Sequence, residues 1–479
     1  MIIRNVREEF IKPIRTSNLL IIASISVDSL CSVKIITSLL SSENIRYALT
    51  IVVSVEDLME TIISNVHIYK RILLINCGGN VDLSSKFSSD DDLIIFIIDN
   101  HLPYNLESIY STSRVRLMIN SNECLDSVPD YHSIFPDEQS NVPESSIAEI
   151  RDSYDRYFSY GYAVFIDLSQ CSITLFDISS KLGKDAIEYA WYAVCGLTEL
   201  FLLKRISDEK YKRDCQYLEQ QVVRLRSTMN DPSGSFSLKF DMAIHLYFYS
   251  HWTLMDSFVN SPVTSSFFQI WSVNGEKKLQ RFLADMGVPL IQARNSFSSM
   301  DSDLRSSVKD LIVSHSSKFG LHEVSYPSFI ANFGYRCKIT AADFVLTLIS
   351  AIEFQVEAQI HIARSMMTSI TESVEQFIEL HYIICAGPFL FGAVPEENNK
   401  NKSITNPLIL DMVSHFGLLS HSNLTKNRRA RELPFIMTIP IFESEDSVII
   451  GIPPITSKDL VKYKKPDNQR SSCLFSKSN

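Results

Sequence analysis

The stretch Leu93 to Asn105 reads LIIFIIDNHLPYN, and the fold turns on it. Six apolar residues, Leu93 to Ile98, run without a break and end in Asp99-Asn100-His101. The run is too short for a globular helix and is rich in β-branched side chains. It predicts a strand buried on both faces, as in a parallel sheet flanked by helices. Such sheets bind ligands outside the carboxyl ends of their strands. Asp99 and His101, two apart just past a strand end, both belong to that crevice. Two readings follow from this stretch: a metal site, or an Asp that caps the loop beside a His that fills it.

Outward from this strand the pattern repeats. Leu19 to Ser26 (LLIIASIS) is a buried strand, followed by Asp28 and a helical pattern over Leu30 to Leu40. Tyr47 to Val53 is a third strand, followed by a helix over Val55 to Ser64. Ile72 to Ile75 is a fourth, ending in Asn76-Cys77-Gly78-Gly79, and Val115 to Ile119 reads as an edge strand. Strands alternating with helices imply a right-handed parallel α/β sheet. Asn120 to Ser146, rich in Ser, Asp, Glu and Pro, reads as a loop. Ile147 to Tyr160 reads as helical, and Lys184 to Leu203 as an apolar helix against the sheet. From Phe236 the pattern becomes long and helical. Helices are expected over Asp241 to Val259, Gly275 to Met286, Ser302 to Phe319, Ala341 to Phe354 and Val356 to Cys385. Short strands return at Phe435 to Ile439 and Val448 to Ile452. No internal repeat is evident.

Composition narrows the function classes. The 479 residues suffice for two or three domains with proper cores. Hydrophobic residues make up 45% and charged residues 21%, as in a soluble globular protein. Only 14 residues are Gly, which argues against a glycine-rich phosphate loop. A formal net charge of −10 disfavours wrapping nucleic acid over the whole surface but leaves room for a local basic groove. The nine Cys include no CxxC pair, which points away from zinc and toward a reducing compartment. The N-terminus has no apolar signal core, and no run approaches the roughly 20 apolar residues of a membrane span. A soluble intracellular protein is expected.

Four stretches are more specific. They are Val27-Asp28-Ser29-Leu30-Cys31, Leu74-Ile75-Asn76-Cys77-Gly78 with Asn80-Val81-Asp82, Ile98-Asp99-Asn100-His101-Leu102-Pro103, and Ile270-Trp271-Ser272-Val273-Asn274-Gly275 running on to Phe282-Leu283-Ala284-Asp285-Met286-Gly287. Ala193 to Thr198, Thr425 to Arg429 and Gly451 to Pro454 agree. Together they resemble the cell division control protein 45 family, which descends from RecJ-like DHH phosphoesterases. The resemblance spans almost the whole chain, in order. It implies a DHH-type α/β domain over 1–205 with loop 120–146. An all-helical interaction insertion over 206–345 follows, then a linker helix and a smaller α/β DHHA1-like domain over 346–479. It also implies a nuclear subunit of the eukaryotic replicative helicase, with the minichromosome-maintenance ring, the GINS complex and replication initiation factors as partners. Two features depart from the family: the loop is short, and relatives continue beyond the position of Asn479.

The resemblance also sets a ligand count. DHH phosphoesterases hydrolyse phosphodiesters with two divalent ions, which need about five or six ligands, mostly carboxylates. The first motif here, Ser26-Val27-Asp28-Ser29-Leu30-Cys31, keeps only its middle Asp. Asn76 stands where the second motif has Asp, and Asn100 replaces the first His of Asp-His-His. Asp28, Asn76, Asp99, His101 and Glu199 are therefore expected to form a relic site, a polar cluster bonded across the sheet end, with no cofactor and no catalysis. The alternative is a metal-dependent RecJ-like exonuclease or phosphoesterase.

If the site is silent, function moves to surfaces. Trp271, Phe282, Leu283 and Met286 lie at helix-like spacing and read either as core of the insertion or as anchors for a partner. Lys426, Arg428, Arg429 and Arg431 put four cations in six residues. That patch reads as a solvated turn, a nuclear-import signal or a weak single-stranded DNA contact. Lys462, Lys464 and Lys465 flank Tyr463 in a second basic cluster.

Overall fold

The computed structural model describes residues 2–87, 92–101, 104–105, 108, 114–119, 170–228, 236–321, 324–334, 337–393, 407–425, 433–440 and 447–454. The apolar runs form five strands: β1 (Leu19–Ser24), β2 (Tyr47–Val52), β3 (Arg71–Ile75), β4 (Ile94–Ile98) and β5 (Val115–Leu117). All pair in parallel, in the order β2-β1-β3-β4-β5. The expected α/β class with a parallel sheet is what the chain adopts. The last four residues of both β3 and β4 are buried, because helices cover both faces of the sheet there.

Helix α1 (Val27–Ser42) lies on one face, where Cys31, Ile35 and Leu39 share a core with Leu19, Ile21 and Phe96. Helix α2 (Val55–Asn65) lies on the other, with Leu58 and Ile62 against Leu20, Ile22 and Leu74. Helices α3 (Cys171–Lys181) and α4 (Ile187–Leu202) complete the first face beside α1. Ser26 starts α1 as its N-cap, its hydroxyl accepting the Ser29 N–H at 3.0 Å. Helix α5 (Asp208–Thr228) leads out of the α/β domain.

The next segment corrects the expectation of an all-helical insertion. Residues Phe236–Ile244 form β6, where a helix over Asp241 to Val259 was expected. β6 pairs antiparallel with β7 (Ser325–Phe333), which pairs antiparallel with β8 (Cys337–Thr340). The physical reason lies in the period. Phe236, Leu238, Phe240, Met242 and Ile244 alternate with other residues, which suits a strand with one covered face. Between β6 and β7 the insertion is helical. Helices α6 (Leu254–Asn260), α7 (Pro262–Phe268), α8 (Val273–Asp285) and α9 (Ser302–Ser316) enclose a separate apolar core.

Helix α10 (Ala341–Phe354) follows as expected. The expected helix over Val356 to Cys385 is shorter, since α11 spans Ile360–Glu379 and Ile383–Cys385 turns into strand β9. β9 joins β10 (Leu390–Ala393), β11 (Phe435–Pro440) and β12 (Ser447–Ile452) in a third sheet, ordered β12-β11-β10-β9 and covered by α12 (Pro407–Leu424). The loop expected over 120–146 and the helix over 147–160 lie outside the described residues. No helix among the described residues is long and apolar enough to cross a membrane.

Candidate functional site

At the carboxyl end of the parallel sheet, Asp28, Asn76, Asp99 and Glu199 are brought together and buried. Their partners define what the cluster can do. Glu199, on α4, accepts the Val27 N–H at 2.8 Å through Oε1 and the Asp28 N–H at 2.7 Å through Oε2. A carboxylate thus sits on the positive end of α1. Asp28, in the first turn of α1, does the same for α3. Its Oδ1 accepts the Ser172 N–H at 3.1 Å and the Ser172 hydroxyl at 2.5 Å, and its Oδ2 accepts the Cys171 N–H and the Asn100 amide, each at 3.2 Å.

Asp99 holds the β4 loop. Its Oδ2 accepts the Gly79 N–H at 2.8 Å, and its Oδ1 takes the His101 N–H at 3.0 Å and faces His101 Nδ1 at 2.8 Å. The Tyr104 hydroxyl donates to the Asp99 carbonyl at 2.5 Å. Asn76, at φ +57°, donates its amide to Ser26 Oγ at 3.0 Å, while the Cys171 thiol lies 3.6 Å from Asn76 Oδ1. Of the two readings drawn from Asp99 and His101, the geometry supplies the loop cap: the Asp bonds backbone, and the His leans on it, half-exposed.

Two glycines make the cluster possible. A Cβ on Gly196 would come within 2.3 Å of Asp28 Oδ1 and 2.2 Å of Ser172 Oγ. One on Gly79 would meet Asp99 Oδ2 at 2.8 Å. Burial raises Glu199 to about 7 against the pull of its two backbone donors, and it raises Asp28 as well. The hydrogen bond to Asp99 raises His101 above the usual imidazole range.

These residues do not fit a pair of divalent ions. Each oxygen of Asp28 already holds two donors, and both oxygens of Glu199 are committed to backbone. A cation would have to strip those donors and uncap two helices. Where the phosphoesterase pattern asks for acids, Asn76 and the His101–Asp99 pair face other protein groups. Among the described residues, no group of three or more His, Cys, Asp or Glu is arranged to hold a metal.

The expected surface residues fare differently. Phe282 and Leu283 are fully buried and Met286 nearly so, all within the core of the insertion, so they pack the domain rather than present a face. They are corrected as partner anchors: α8 turns this stripe inward onto Phe258, Phe268 and Phe319. Trp271 is half-buried and packs against the main core instead. Lys426, Arg428, Arg429 and Arg431, and the cluster around Tyr463, lie outside the described residues. Sequence reasoning missed Ser172, Cys171, Gly79 and Gly196. Ser172 is 144 positions from Asp28, and no local signal marks it.

With this geometry in hand, comparison with known proteins is informative. The CDC45 family model matches residues 19–142 and 135–359. The cell division control protein 45 homolog of Homo sapiens is 27% identical over 521 aligned residues, covering 95% of this chain and 91% of the human protein. The Mus musculus homolog is 26% identical over the same span. The crystal structure of CDC45 from Entamoeba histolytica overlays with a TM-score of 0.70 at 20% identity, covering 94% of this chain and 88% of that one, a likeness of fold.

Proposed function

Since this chain belongs to the CDC45 family, we propose that it serves DNA replication in the nucleus as a non-catalytic scaffold of the replicative helicase. In this reading it bridges the minichromosome-maintenance ring and GINS, with initiation factors as further partners and weak contact to single-stranded DNA. The carrying observation is the relay of helix caps, from α4 to α1 and from α1 to α3. Asp28 closes α3 and Glu199 closes α1, so the carboxylates that a two-ion phosphoesterase would spend on metal are spent on backbone N–H groups. Two hard cations held by so few free oxygens would lack the field that neutralises a phosphodiester transition state. Likeness to the human homolog over 95% of the chain supports a shared role.

Two experiments test this. Purified protein with Mn²⁺ or Mg²⁺ should leave single-stranded DNA uncut, and Asp99→Ala should behave identically in that assay. Cleavage in the wild type that vanishes in Asp99→Ala restores the exonuclease reading. Purified ring and GINS from the same source should each co-elute with the full chain, and a chain that binds neither is not the bridge.

A further inference from the structure

The acids at the sheet end meet positive charge that the chain itself supplies. Helix α1 directs the N–H groups of Val27 and Asp28 at Glu199, and that of Ser29 at Ser26 Oγ. Helix α3 directs those of Cys171 and Ser172 at Asp28. Each such helix end carries about half a positive charge. Asp99 meets the N–H groups of Gly79 and His101 and the His101 ring. Asp28, Asp99 and Glu199 are all buried, and each is held mainly by donors fixed in the backbone, as the burial of charge requires.

Asp28 is not an optional cap. The residue before α3, Gln170, makes no side-chain bond to the helix. The start of α3 therefore rests on a carboxylate 143 positions away in the chain. Backbone also crowds the approach to these acids. A hard cation must come within about 2.0–2.6 Å of a carboxylate oxygen. On the α4 side of Asp28, clearance is so small that a Cβ on Gly196 would lie 2.3 Å from Oδ1. Beside Asp99, a Cβ on Gly79 would lie 2.8 Å from Oδ2. Asn76, a neutral amide bonded to Ser26 Oγ, adds no charge for a cation to balance.

We propose that the positive ends of α1 and α3 take the place of the divalent ions in the phosphoesterase pattern. Asp28 and Glu199 are then folding groups, and metal affinity does not return when the missing ligands are put back. A set of acids that awaits a cation behaves in the opposite way. Like charges held together without their ion repel one another, so neutralising one of them stabilises the metal-free protein. Neutralising a cap removes an acceptor from backbone N–H groups and destabilises it. The direction in which one substitution moves the melt therefore separates the two.

This inference rests on the non-catalytic reading, and the outcomes keep the two apart. Thermal melts of the full chain in EDTA compare the wild type with Asp28→Asn. The variant should melt several degrees lower, because an amide NH₂ then faces N–H groups at the start of α3. A higher melting temperature overturns the proposal. Asn76→Asp/Asn100→His, which restores two ligands of the motif, is melted in EDTA and in Mn²⁺. The two melts should coincide, and calorimetry should show no saturable Mn²⁺ binding. A saturable, Mn²⁺-dependent rise overturns the proposal. If Asp28→Asn or the double variant does not fold, Ser172→Ala decides. It removes one donor from Asp28 Oδ1, so it should melt below the wild type, and Mn²⁺ should not restore it. Restoration by Mn²⁺ overturns the proposal. A wild type that Mn²⁺ stabilises without cutting DNA overturns the substitution of ions by helix ends and leaves the scaffold reading intact. Mn²⁺-dependent cleavage by the wild type overturns both.

Discussion

Glu199 is the residue on which the cluster's pH behaviour depends. It is buried, and its folded-state value of about 7 lies above the ordinary 4.5. Between those values the folded chain holds a proton that the unfolded chain has released. Its contribution is therefore fully present below about pH 4.5 and is lost as pH rises toward 7. Each tenfold difference in proton affinity is worth about 1.4 kcal/mol, so the contribution amounts to roughly 3 kcal/mol. Glu199→Gln should flatten this part of the stability profile. It should also lower stability by about 1–3 kcal/mol at pH 5, because an amide NH₂ then opposes one of the two backbone N–H donors. Urea unfolding at several pH values between 5 and 8 measures both effects, and a variant with the wild-type slope removes Glu199 as the titrating group. The sequence exposed part of this site. Asp28, Asp99 and Glu199 were legible because they follow core strands or sit in a matching motif. Their caps were not, since Ser172 reaches Asp28 only through the packing of α3 on α1, which no local pattern encodes.

Elements were legible where the apolar period was unambiguous. β4 is apolar throughout, β1 is apolar up to Ser24 and β3 is apolar after Arg71, and the short length of these runs excludes helices. β6 was misread although its two-residue alternation over Phe236 to Ile244 is present, because the aromatic run that follows, LYFYSHW, extends a helix-like density of apolar residues. The stripe on α8 had the correct period but an undecided direction, since periodicity gives a face and not what covers it. Phe282→Ala should accordingly cost about 3–5 kcal/mol, as for a buried aromatic truncated to leave a cavity. Hydrogen exchange localised to 254–312 reads that loss, and protection equal to wild type there would return Phe282 to the surface. On α12 the opposite change helps. Gly417 sits inside the helix, and a Cβ there would meet only Ile383 Cδ1, at 3.8 Å, an ordinary contact. Gly417→Ala should stabilise by about 1 kcal/mol through helix propensity. A melt that moves down would reveal crowding between α12 and β9.

At the scale of the molecule, parts far apart in sequence are tied together. Arg205, at the end of the α/β domain, bonds Asp411 on α12 at 3.3 Å, and His415 flanks the same carboxylate at 3.1 Å. The α/β face and the C-terminal helices also share one continuous apolar core. A chain so joined, with a formal net charge of −10, repels a polyanion except where cations concentrate. Lys426, Arg428, Arg429 and Arg431 are the densest such group. On a single strand each phosphate contact contributes about −0.7 to the slope of log affinity against log salt, so four cations allow a slope of at most about −2.8. Isolated binding should then be weak and lost quickly with added salt. Replacing Arg428 and Arg429 together by Ala should flatten the slope by roughly 1.4. Sequence preference should not change, because phosphate contacts carry no base information. Fluorescence anisotropy with a labelled oligonucleotide at several salt concentrations, for both proteins, reads the two slopes directly. If the slopes coincide, the patch does not touch DNA, and its cations remain a solvated turn or an import signal.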